Sequence, residues 1–112
     1  MTRRALRYLG HRPGASLGYF AGAMTLVPGE TFEVGSTGLV MGRRASADLR
    51  VGSSQVAGHH ARIEPHPEGL LVSDLRSTNG TQVNGARVTS ALVKPGDRLT
   101  LADAFDFEII DV

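Results

Sequence analysis

From Met24 onward no stretch sustains an apolar stripe across three helical turns. Short apolar runs alternate instead with turn chemistry. Thr31–Val34, Gly38–Gly42, Leu49–Val51, Ala61–Glu64, Leu70–Asp74, Thr81–Val83, Ala86–Val88, Arg98–Leu101 and Phe105–Val112 read as strands, and Met24-Thr25-Leu26-Val27 reads as the first of them. His66-Pro67-Glu68-Gly69 forms a hairpin-like turn. Asn84-Gly85 accepts φ > 0 at both central positions of a two-residue hairpin loop. Lys94-Pro95-Gly96-Asp97 carries Pro and Gly where a type II turn wants them. Many short strands at close spacing mean an all-β sandwich or barrel.

Composition narrows the chemistry. At 112 residues the chain supplies one core. Cysteine is absent, which removes disulfides, thiolate nucleophiles and Cys-ligated zinc. No apolar run approaches the ~20 residues of a membrane-spanning helix. His59 and His60 are neighbours, so on a strand they face opposite ways and cannot share a metal. No catalytic signature is present and the acids stand singly, so no enzyme, metal or cofactor is expected.

Charge is uneven. Arg3, Arg4, Arg7 and Arg12 lie in residues 1–27 with no acid, whereas the remainder is net acidic and has no general attraction for nucleic acid. Residues 1–23 are therefore expected to form a basic, flexible leader ahead of a domain over 24–112. Ala21-Gly22-Ala23 has the form of a cleavage site, but Gly18 and Gly22 break the apolar segment that a signal peptide needs. A cytoplasmic location, no membrane contact and a monomer are expected. Lys94 is the only lysine among many arginines, a codon bias that points to a bacterial genome.

Recognition chemistry concentrates in the loops. Gly42-Arg43 closes one strand, and Ser77-Thr78-Asn79-Gly80-Thr81 follows another. A guanidinium with a hydroxyl and an amide beside it suits a phosphate, through paired charge-assisted bonds supplemented by neutral donors.

The run Gly42-Arg43, Asp48-Leu49, Val56-x-x-x-His60-Ala61, Asp74-Leu75-x-Ser77-Thr78-Asn79-Gly80-Thr81-x-Val83-Asn84-Gly85, Pro95-Gly96-Asp97 resembles a forkhead-associated (FHA) domain over about residues 24–112. The resemblance implies an 11-stranded β-sandwich that binds phosphothreonine peptides through loops at one end. It implies that Arg43 binds the phosphate, that Thr78 lies close to the phosphothreonine, and that Asn79 holds the peptide main chain. His60 would order the recognition loop by hydrogen bonds, with Gly42, Gly80, Asn84 and Gly85 structural. The family serine three residues before the histidine falls on Ala57, and the next position, commonly basic or polar, is Gly58. One lost donor to a charged oxygen costs about 1.5–3 kcal/mol, or about ten- to a hundredfold in affinity.

Ser53, Ser54 or His59 would compensate from the same loop, Gln55 is a selectivity contact by position, and Arg44 and Arg62 are placed near the mouth. Two readings stand: a phosphothreonine-binding signalling module with a weakened or rebuilt pocket, whose partner is a Ser/Thr kinase or its substrate, and a phosphorylation-independent scaffold.

Overall fold

A computed structural model describes residues 3–15 and 26–112. Among them are eleven strands and no helix: β1 (Arg4–His11), β2 (Thr31–Glu33), β3 (Leu39–Gly42), β4 (Leu49–Arg50), β5 (Ala61–His66), β6 (Gly69–Asp74), β7 (Thr81–Val83), β8 (Ala86–Val88), β9 (Ser90–Val93), β10 (Arg98–Leu101) and β11 (Phe105–Asp111). They form a six-stranded sheet, β2-β1-β11-β10-β7-β8, and a five-stranded sheet, β4-β3-β5-β6-β9. Every pair is antiparallel except β3 with β4, which is parallel.

The two sheets bury the alternating residues of their facing sides. Leu6, Tyr8, Leu99, Leu101, Phe105, Phe107 and Ile109 come from the first sheet, and Leu39, Met41, Ala61, Ile63, Leu70, Val72 and Val93 from the second. Period-two alternation is what a sandwich requires of each strand. The Tyr8 and Phe107 rings pack at a centroid separation of 5.2 Å, tilted by 50°.

Turn chemistry behaves as its residues dictate. Asn84 (φ 50°) and Gly85 (φ 85°) both occupy the left-handed region, and Val83 pairs with Ala86 across them. Asn84 also ties the hairpin to β10, accepting from the Arg98 amide at 2.9 Å and donating to Asp97 at 3.1 Å. Asp97 N donates to Lys94 O at 3.0 Å with Gly96 at φ 96°, closing the expected turn.

Two expectations are corrected. The basic leader of residues 1–23 is, over Arg4–His11, an inner strand of the larger sheet, flanked by β2 and β11. The physical reason is twofold. Leu6 and Tyr8 point into the core, each contributing about 1.5–3 kcal/mol of burial. The arginines that lack acids nearby in sequence find them across the sheet: Arg3 with Glu33, Arg4 with Asp111, Arg7 with Glu108, and Arg12 with Asp103 and Asp106. The first strand expected at Met24-Thr25-Leu26-Val27 is not one where described: Leu26 and Val27 lie in irregular backbone, while Met24, Thr25 and the Ala21-Gly22-Ala23 run lie outside the described residues. A further strand, β9, was unmarked in the sequence pattern and pairs with β6 at the sheet edge.

Candidate functional site

Three connections meet at one place: residues 43–48 between β3 and β4, residues 51–60 between β4 and β5, and residues 75–80 between β6 and β7. Their backbones are knitted together. Arg43 N donates to Ala57 O at 2.9 Å and Arg44 N to Gly58 O at 3.0 Å. Gly42 makes this approach possible, since a Cβ on it would stand 2.1 Å from Gly58 O.

His60 joins the second connection to the third. It is fully buried. Its Nδ1 accepts from Ala57 N at 3.1 Å and its Nε2 lies 2.7 Å from Gly80 O. A carbonyl only accepts, so Nε2 carries the proton and the ring is the neutral Nε2–H tautomer. Burial pushes its pKa below 6.5, outweighing the opposite pull of the Gly80 bond and the Asp74 charge. Gly80 N in turn donates to Ser77 Oγ at 3.0 Å.

Beneath the third connection lies a carboxylate to which sequence reasoning assigned no role. Asp74 accepts from Ser77 Oγ (2.5 Å), Thr81 Oγ1 (2.7 Å) and Ser77 N (3.1 Å). Burial raises the Asp74 pKa, but these bonds and the nearby His60 prevail and bring it below 3.8. The Asp74-x-x-Ser77 spacing was the available clue, because short polar side chains cap backbone amides a few residues on.

The expected recognition residues lie on this frame. Arg43 is half-buried, and its Nε donates to Val56 O at 3.0 Å. Arg50 Nε donates to Arg43 O at 2.9 Å, adding a second cation close by. Asn79 is exposed and donates through Nδ2 to Gln55 O at 2.8 Å, leaving its Oδ1 unpaired among the described residues. Thr78 is exposed beside it. Arg43, Ala57, Gln55 and Asn79 are thus joined within one loop cluster.

The candidate compensating residues differ in place. Ser53 is fully buried and its Oγ accepts from Gln55 N at 3.2 Å, so it shapes the loop from within. Ser54 is exposed on the same loop. His59 is exposed and its Nε2 lies 2.8 Å from Ser46 Oγ in the first connection. Arg62 belongs elsewhere: it is held by Glu64 (3.4 Å) and Thr37 O (2.9 Å). Among the described residues no three His, Cys, Asp or Glu side chains gather as a metal site would require. No helix there is long and apolar enough to cross a membrane.

The FHA domain family matches residues 39–102. The ABC transporter ATP-binding/permease protein Rv1747 of Mycobacterium tuberculosis is 37 % identical over 97 residues, 84 % of this chain but 11 % of that protein. The chain thus spans a small part of that relative. Among solved structures, an FHA domain from a structural and functional analysis of phosphothreonine-dependent FHA domain interactions superposes with a TM-score of 0.72 at 24 % identity, covering 96 % of this chain and 95 % of that one. The FHA domain of FhaA, solved in complex with the intracellular domain of Rv3910, gives 0.71 at 24 % identity over 95 % and 98 %. The strand order, the loop cluster and the family match agree, and the chain belongs to the FHA domain family.

Proposed function

We propose that the chain is a non-enzymatic module that binds phosphothreonine peptides in bacterial, cytoplasmic signalling, with a phosphate pocket rebuilt around the absent serine hydroxyl. The observation that carries this reading is the junction of Arg43, the 53–58 loop and Asn79. A half-buried guanidinium anchored through Nε offers charge to a phosphate dianion. The Asn79 Oδ1 would accept a main-chain N–H of an extended peptide, and the Thr78 hydroxyl would add a donor beside it. The phosphothreonine-dependent interactions of a related FHA domain point the same way.

Ala57 argues for the second reading, a scaffold indifferent to phosphate, because it supplies no donor where the family has a serine. A degenerate phosphothreonine peptide library titrated beside its unphosphorylated twin separates the two. Binding confined to the phosphorylated library is expected. Equal binding of both selects the scaffold.

A further inference from the structure

We propose that Arg44 is a second phosphate-binding cation, standing in for the polar side chain missing at position 58. The inference rests on the phosphopeptide reading and names a further residue of that site. Arg44 lies across Gly58: a Cβ built on Gly58 would be 2.6 Å from Arg44 Nε, 2.9 Å from its Cγ and 3.0 Å from its Cδ. The guanidinium stem fills the space that a side chain at 58 would take, and only glycine leaves that space open. The backbone sets this approach, because Arg44 N is bonded to Gly58 O at 3.0 Å and brings the two residues together.

The rest of the guanidinium is uncommitted. Arg44 is exposed, and its side chain makes no hydrogen bond or ion pair among the described residues. Of the other arginines near the loops, Arg50 is anchored through Nε to Arg43 O and Arg87 through Nη2 to Thr78 O, while Arg76 is exposed in the third connection. A cation beside Ala57 offsets the lost hydroxyl, since a guanidinium–phosphate pair carries charge where Ser–phosphate carries a neutral donor. Ala57 and Gly58 then belong to one exchange: a hydroxyl lost and a guanidinium admitted.

The test is titration of one phosphothreonine peptide and its unphosphorylated twin into wild type, Arg44→Gln, Arg44→Lys, Gly58→Ala and Arg43→Ala at low and moderate salt. Arg44→Gln is expected to weaken phosphopeptide binding about five- to thirtyfold and to flatten its salt dependence, with Arg44→Lys recovering most of the loss. Gly58→Ala displaces the Arg44 stem, so it should weaken binding in wild type and add little to Arg44→Gln. Arg44→Gln within twofold of wild type, while Arg43→Ala loses binding, overturns the role of Arg44 and leaves the phosphopeptide reading intact. Wild type that does not distinguish the two peptides overturns that reading, and this inference with it. Unfolding midpoints unchanged between wild type and Arg44→Gln exclude a folding defect as the cause of weakened binding.

Discussion

At the scale of single residues, charge and burial separate the buried side chains that hold the loops from the more exposed ones proposed to meet a ligand. Restoring the hydroxyl by Ala57→Ser should strengthen phosphopeptide binding about ten- to a hundredfold by returning a donor to a charged oxygen. A gain below threefold would mean that a neighbour already supplies the bond, and Ser54→Ala or His59→Ala should then weaken binding. His60 makes a prediction about pH. Burial holds its folded-state pKa below 6.5, so the neutral ring stabilises the fold in full above that pH. As pH falls below about 6.5 the unfolded chain takes up a proton that the folded chain refuses, and stability declines until the lower folded-state pKa is passed. Protonation of Nδ1 also removes the acceptor for Ala57 N. Asp74, lowered from 3.8, begins a second loss in the same direction further down. Urea titrations between pH 7.5 and 5 should show the first decline, and His60→Gln should remove it. An undiminished slope in that variant would assign the effect to another group.

At the scale of elements, β1 departs furthest from what local sequence pattern suggests. It pairs on both sides, with β11 over Arg4–His11 and with β2 over Ala5–Arg7, and its Leu6 is fully buried. Leu6→Ala should cost about 2–5 kcal/mol. A chain begun at residue 24 should lose cooperative unfolding altogether, whereas a folded, undiminished truncation would return residues 1–23 to the status of a leader. Amide exchange gives an independent check, since Tyr8 N donates to Glu30 O at 2.8 Å and should be protected. At the far hairpin, Gly85→Ala places a Cβ on a residue at φ 85° and should cost about 1 kcal/mol, read as a lower unfolding midpoint. The elements legible in the sequence were those whose signal is local. Asn84-Gly85 and Pro95-Gly96 fix their turns by φ alone, and β7, β8 and β10 lie where alternation placed them. β1 was illegible because its evidence is non-local: the acids that answer Arg3, Arg4, Arg7 and Arg12 lie in β2, in β11 and in the turn ahead of β11. β9 hid behind Ser90 and Ala91, which carry no apolar alternation of their own.

At the scale of the whole molecule, the sandwich brings residues 43–44, 55–58 and 78–79 together at one end although they come from three separate connections. The residue types at this end were readable because a guanidinium, a hydroxyl and an amide in loops carry a recognisable chemistry. What was not readable was how they are held. The Asp74–Ser77–Thr81 bonds and the Ala57–His60–Gly80 relay depend on backbone atoms that sequence does not display. The arrangement of Arg44 over Gly58 likewise depends on two loops meeting. Under the proposed function this end reads a phosphate through Arg43. The most direct test is calorimetric titration of one phosphothreonine peptide and its unphosphorylated twin into wild type and Arg43→Ala. Wild type should bind only the phosphorylated peptide, and Arg43→Ala should weaken that binding at least about a hundredfold while remaining folded. Wild type binding the twin as tightly, or Arg43→Ala binding the phosphopeptide as wild type does, would contradict it.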